Sequence, residues 1–182
     1  MIMNFLKTNR FAAAALLFIR LYVGYAWLTG GWGKITGPEP FNAAGFLNGA
    51  VAKAVGDHPA VQGWWAAFLE GFAIPNADLF SFLVAWGELL AGLGLILGCF
   101  TTLAAFGAII MNFAFLLSGT TSTNPQLLIL ELFIVAAGAN AGRYGLDRWV
   151  MPYLKAYFRD RFGNKPKNLE GGATGGKGAL AH

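Results

Sequence analysis

Residues 11–32 read FAAAALLFIRLYVGYAWLTGGW. Apart from Arg20 the stretch is uncharged, and it is long enough to cross the hydrocarbon core of a bilayer, which takes about 20 apolar residues as helix. Lys7 and Arg10 precede it as basic residues precede a signal core. The apolar run is too long for such a core, however, and no small-x-small cleavage pattern leads from it into a polar sequence, so an uncleaved transmembrane helix is expected. Three further stretches have the same character: 79–97, 101–118 and 125–141. Backbone polar groups in lipid must bond within their own segment, which makes these helices rather than open strands. The expected fold is an all-α integral membrane protein, a bundle of four transmembrane helices occupying residues 1–162, followed by a glycine-rich polar tail over 163–182 that is expected to be flexible.

Composition points the same way. Of 182 residues, 56% are hydrophobic and 12% charged, about half the charged share of an ordinary soluble domain. Such a chain cannot clothe a normal water-facing surface, which disfavours a cytosolic enzyme, and it is too apolar for a disordered chain. Cys99 is the single cysteine, which excludes an internal disulfide or a four-thiolate metal site. His58 and His182 lie far apart, so no haem or metal site is expected within one chain.

The basic residues are segregated. Lys7, Arg10 and the segment after residue 141 (Arg143, Arg148, Lys155, Arg159, Arg161, Lys165, Lys167, Lys177) supply ten, against Lys34 and Lys53 in the loop 33–78. By the positive-inside rule both termini are expected in the cytoplasm and the long loop outside. Within that loop Val61, Trp64, Trp65, Phe68, Leu69 and Phe72 follow a helical stripe, and Phe41, Ala44, Leu47, Val51 and Val55 suggest a second short helix. Two readings stand for this cap: tryptophan anchoring at the interface, or a lid over a site. Residues 147–161 interleave Trp149, Tyr153 and Tyr157 with Arg148, Lys155 and Arg159, which suggests an amphipathic helix on an anionic leaflet rather than a nucleic-acid surface.

Arg20, Glu88 and Glu131 lie inside apolar spans, where a charge costs about 2.5–3.5 kcal/mol or more. Counted from the span ends, Arg20 and Glu88 each lie roughly 13 Å deep and are expected to meet near the midplane, while Glu131 lies roughly 9 Å below the outer face, within reach of a snorkelling Lys34. Arg20, Gly24, Trp27 and Gly31 share one helix face, and Glu88, Ala91, Gly92 and Leu95 form a matching one. Gly94 with Gly98, and Gly138 with Gly142, have the spacing of close helix contacts. Asn124 followed by Pro125 reads as an N-cap and first turn. The intramembrane charges are open to two readings. They make a structural salt bridge with Asn112 as interhelical glue, or they border a polar pocket for a small redox molecule such as a quinone. In the second case Trp27 stacks on the ring, Arg20, Glu88 and Asn112 contact it, and Glu88 or Glu131 carries protons.

At these residues the chain resembles the DoxX/DoxD superfamily. The matching segments are Arg20-Leu21-Tyr22-Val23-Gly24, Gly30-Gly31-Trp32-Gly33-Lys34, Trp86-Gly87-Glu88-Leu89-Leu90, Met111-Asn112, Thr123-Asn124-Pro125 and Ala141-Gly142-Arg143-Tyr144-Gly145-Leu146-Asp147. The long outer loop, with His58-Pro59 and Gly63-Trp64-Trp65, looks closer to the DoxD branch, which includes the membrane subunit of thiosulfate:quinone oxidoreductase. The resemblance implies a multi-pass protein of a bacterial or archaeal cytoplasmic membrane that couples oxidation of a sulfur compound such as thiosulfate to quinone reduction, with Arg20, Lys34, Glu88, Asn112 and Asn124 as residues to test. In that reading Lys34 and His58, with Asn124, receive the anionic substrate at the outer mouth, and Glu88, Arg20 and Glu131 are the catalytic candidates. A non-catalytic accessory subunit of a respiratory or redox complex is the alternative, with a redox protein or a second copy as partner. No flavin, haem or iron–sulfur motif is visible in the sequence.

Overall fold

Asn9 starts the first long helix. Its side chain accepts hydrogen bonds from the backbone N–H groups of Phe11 (2.7 Å) and Ala12 (3.4 Å), as an N-cap does. From there α2, Arg10–Thr36, runs for 27 residues. A computed structural model describes residues 1–162, all-helical with no strand among them; the expected tail over 163–182 lies outside the described residues. A short helix α1, Ile2–Thr8, precedes α2. The remaining helices are α3 (Ala44–Ala52), α4 (Gly63–Phe68), α5 (Ala77–Leu97), α6 (Thr101–Leu117), α7 (Asn124–Ala137) and α8 (Asp147–Phe162). A π-helical turn, Leu69–Ala73, extends α4, and a 3-10 turn, Gly138–Asn140, extends α7. By length and apolar content α2 and α5 qualify as membrane spans; α6 and α7 are shorter apolar helices.

Helix α2 packs on α5, α5 on α6, α6 on α7 and α7 on α2, closing a ring of four. The tightest seam is α2 against α5, and glycine makes it. A Cβ added at Gly31 would collide with the backbone of Leu89, and one at Gly92 with the backbone of Leu28. Gly24 approaches Leu95 and Ile96 in the same way. Close backbone contact through small residues is how helices associate where no hydrophobic effect separates helix from solvent. The faces expected to match do so: Arg20, Gly24, Trp27 and Gly31 are buried on one, Glu88, Ala91, Gly92 and Leu95 on the other. The interior is otherwise made by Leu16, Val23, Ala105, Ala108, Leu127 and Ile134.

The outside of the ring is apolar. Phe18 is 73% exposed, Phe82 58% and Leu103 67%, with Phe106, Ile110, Phe113, Ile129 and Leu132 also exposed. Arg20, Glu88, Asn112 and Glu131 are buried. Charged groups inside and large apolar side chains outside is the arrangement a lipid solvent selects.

At one end, α3, α4 and the π turn form a cap with its own small core of Ala43, Leu47, Ala50, Leu69 and Ala73. At the other, α5 stops at Gly98, whose left-handed φ of +63° lets the chain reverse. Phe100 follows with φ of +51°, a strained value for a bulky residue. Asp147 holds it there by accepting hydrogen bonds from the N–H groups of Phe100 (2.7 Å) and Thr101 (2.9 Å), thereby capping α6 from across the fold. Asn140 donates to the carbonyls of Leu6 and Asn9, tying α1 beneath the ring. The start of α7 differs from the expected N-cap: Asn124 is its first residue, Thr123 occupies the cap position, and the Asn124 amide donates back to the Thr120 carbonyl.

Candidate functional site

Two carboxylates and two cations lie within the ring or at its mouth, and the structure sorts them into three separate groups. The expected meeting of Arg20 with Glu88 does not occur. Arg20, 1% exposed, donates to the carbonyl oxygens of Ala141 (3.1 Å) and Tyr144 (3.3 Å) at the end that carries α1 and α8. Glu88 instead accepts from Lys34, with Nζ to Oε2 at 2.6 Å. Register is the reason. Helix α2 extends beyond the expected span to Thr36, so Lys34 lies in its last turn rather than past its end. Antiparallel packing then sets Gly98 beside Arg20, and the Glu88 carboxylate beside Gly30, where a Cβ would stand 2.9 Å from Oε2. Ten residues of helix separate Arg20 from Gly30, roughly 15 Å along the axis.

The same shift removes Lys34 from Glu131. Glu131, fully buried, accepts from the Trp27 indole N–H at 2.6 Å and from the Asn112 amide at 2.8 Å, and it forms no ion pair among the described residues. The Asn112 carbonyl oxygen has no partner there. Replacing Glu131 by alanine strands two buried donors and is expected to cost about 2–4 kcal/mol. Glu131→Gln is expected to stay within about 1 kcal/mol: its oxygen still accepts from Trp27, and its amide can donate to Asn112 once that side chain rotates. Thermal melting of the two variants in detergent separates the cases.

Beneath the cap lies a cavity of about 320 Å³. Its walls are Phe41, Phe46, Trp65, Phe68, Leu69, Phe80, Val84 and Phe115, and its polar groups are Lys34, Glu88, Ser118, Thr120, Ser122 and Asn124. The volume falls in the range of small-molecule sites, and a few convergent polar groups among aromatic walls is their usual make-up. Lys34 Nζ also lies 5.4 Å from the centre of the Phe41 ring. The cap closes over this space: Trp65 donates its indole N–H to the Ser118 hydroxyl at 3.0 Å, and Lys53 donates to the Gly119 carbonyl at 3.1 Å. Phe115 is shared between the cavity and the ring interior, where it stacks on Trp27 at 6.3 Å between centroids. One aromatic layer thus separates the Glu131 group from the cavity.

Of the residues singled out from the sequence, Lys34, Glu88 and Asn124 line this cavity. Arg20, Trp27, Asn112 and Glu131 do not, and His58 is an exposed loop residue away from it. The proposed ring-contacting set of Arg20, Trp27, Glu88 and Asn112 is therefore divided among three places. Sequence reasoning missed the hydroxyls of Ser118, Thr120 and Ser122, which stand in a run after α6, and it missed Phe46 and Phe115 because aromatics are everywhere in this chain. It also missed Asp147 and Asn140, whose partners lie 46 or more residues away.

A protein-family model described as DoxX matches residues 15–120, more than half of the chain and including Arg20, Lys34, Glu88 and Asn112. No curated protein and no solved structure matches.

Proposed function

The chain belongs to the DoxX family, and from that premise we propose that it is a four-span membrane protein whose capped cavity binds a quinone head group. On this reading α6 and α7 cross the bilayer with α2 and α5, both termini face the cytoplasm and the cap faces outward. The apolar exposed faces of α6 and α7 support four spans, and the asymmetry of lysine and arginine supports the orientation.

The single observation that carries the ligand assignment is the Lys34–Glu88 pair set in an aromatic-walled cavity. On this reading a flat ring lies in the cavity against the wall formed by Phe46, Phe68 and Phe115. Lys34 donates a hydrogen bond to one ring carbonyl, and the hydroxyls of Ser118, Thr120 and Ser122 serve the other. Reduction of a quinone to a quinol takes up two electrons and two protons, and Glu88 is the group in the wall that can pass a proton. The electrons come from a donor that docks at the outer face, a sulfur compound such as thiosulfate in the family reading.

A second reading, the accessory subunit, is favoured by one observation: Glu88 is already neutralised by Lys34, and Glu131 already has two donors, so both groups serve the packing of the ring as they stand.

Titration of purified protein with a short-chain quinone, followed by tryptophan fluorescence, tests the site. Saturable quenching is expected, and Ala114→Phe, which fills the cavity from α6, is expected to abolish it without lowering the melting temperature. Equal, non-saturating quenching in both proteins would reject the cavity as a quinone site. Quinone reduction by thiosulfate with the purified chain alone separates the enzyme from the accessory subunit.

A further inference from the structure

At the end of the ring opposite the cap, three arginines from two distant parts of the chain converge. Arg10 opens α2, Arg143 follows the 3-10 turn, and Arg148 lies in the first turn of α8. With Tyr144 they line one open cleft of about 510 Å³. None of the three forms an ion pair among the described residues. The nearest carboxylate in sequence, Asp147, is engaged by the N–H groups of Phe100 and Thr101 instead. Each guanidinium, on an exposed residue, has one further contact. Arg143 donates to the Thr8 carbonyl at 3.4 Å, Arg10 lies 5.2 Å from the centre of the Phe11 ring, and Arg148 lies 5.8 Å from that of Trp149. Like charges gathered in one cleft repel each other, and an anion that offers several acceptor oxygens to planar donors relieves that repulsion.

The cleft continues into an apolar one. Arg143, Tyr144 and Arg148 also border a space of about 300 Å³ whose other walls include Leu97, Leu146 and Trp149. These three side chains are 50%, 40% and 64% exposed. Cationic donors beside an uncovered apolar track match a ligand with a phosphate at one end and a hydrocarbon chain at the other. We propose that Arg10, Arg143 and Arg148 form a binding site for the phosphate of an anionic phospholipid, whose acyl chain lies along Leu97, Leu146 and Trp149. A free phosphate ion would use the arginines and leave the track bare. The proposal rests on the membrane reading above and is independent of the cavity under the cap.

The test uses delipidated full-length protein in a neutral detergent, titrated with dioleoyl phosphatidylglycerol, dioleoyl phosphatidylcholine or inorganic phosphate and followed by native mass spectrometry and thermal melting. Stoichiometric retention of phosphatidylglycerol with a raised melting temperature is expected, with neither effect from phosphatidylcholine or phosphate. Each of Arg10→Gln, Arg143→Gln and Arg148→Gln is expected to weaken binding roughly fivefold, and the three together about a hundredfold. Lys155→Gln with Arg159→Gln, on the far part of α8, is expected to leave it unchanged. Equal binding of phosphatidylcholine would overturn the proposal, as would equal stabilisation by inorganic phosphate or an equal loss in the α8 variant. Because the single substitutions are on exposed residues, they report binding even where the triple variant fails to fold. Release of the protein from membranes by alkaline carbonate would instead refute the membrane reading, an outcome separate from these.

Discussion

Lys34→Met is expected to destabilise the protein by about 3 kcal/mol, and adding Glu88→Gln to it to restore most of the loss. Glu88 is 4% exposed, and its carboxylate sits against Gly30 with Lys34 as its ion-pair partner. Removing the lysine leaves a buried charge that nothing else neutralises. Removing the charge as well leaves a neutral amide among aromatic walls, which costs far less. The Lys34 side chain keeps about a quarter of its surface exposed, at 26%, so the loss belongs at the lower end of the range for broken buried pairs. Thermal melting of the two single variants and the double variant in one detergent yields the coupling energy directly. A double variant less stable than Lys34→Met would show that the pair is not what holds Glu88 in place. The same three proteins report on function. If Glu88 passes protons to a quinone, Glu88→Gln alone, which keeps Lys34 as donor to the ring, is expected to bind quinone yet reduce it slowly.

Arg20→Met is expected to cost about 3–5 kcal/mol, through the loss of two charge-assisted hydrogen bonds to backbone carbonyls. Arg20 donates to Ala141 and Tyr144, on either side of the turn that leads from α7 to α8. Glycine is required on both sides of its head group: a Cβ at Gly98 would stand 2.6 Å from the guanidinium carbon, and one at Gly145 would stand 2.7 Å from a guanidinium nitrogen. The segment thus held also carries Leu146 and Asp147, whose N–H groups bond to the carbonyls of Leu97 (3.1 Å) and Gly98 (2.7 Å). Without Arg20 the cap that Asp147 places on α6 loses its support. Hydrogen exchange is expected to rise first over residues 98–102 and 141–148. A rise confined to the cap over the cavity would contradict this account. Lysine at position 20 is expected to recover part of the loss only, because one ammonium group cannot reach two carbonyls with the fixed fork of a guanidinium.

The two experiments address different ends of one helix, which is why the sequence reading that joined Arg20 to Glu88 went astray. Depths counted from the ends of apolar runs assume that neighbouring spans begin and stop at the same level. Helix α2 instead runs from Arg10 to Thr36, four residues past the C-terminal limit of its apolar run, and Gly98, just after α5, lies beside Arg20. The resulting offset between the two helices, about ten residues or roughly 15 Å along the axis, exchanges the partner of Glu88 from Arg20 to Lys34. The helix faces survive such an offset because they depend on spacing alone. Arg20, Gly24, Trp27 and Gly31 were therefore legible as one buried face, and their partners across the seam were not.

Glycine spacing shows the same limit from another side. Gly94 with Gly98 and Gly138 with Gly142 have the motif of a close contact, but the tightest approach of backbones occurs at Gly31 and Gly92, which belong to different helices and form no motif in the chain. Gly98 is needed for its left-handed turn and for the space it leaves Arg20.

From residue order and hydropathy alone come the helical class, the apolar exterior, the segregation of basic residues and the short list of buried charges, since each follows from composition or from a period of 3.6 residues along one segment. Folding contributes the pairings: Lys34 with Glu88, Glu131 with Trp27 and Asn112, Arg20 with two carbonyls, and a cavity built from six separate segments. Those pairings depend on how far one helix is displaced along its neighbour. That displacement is settled by where glycines admit another backbone and where a distant aspartate caps a helix, contacts between residues that no local pattern connects.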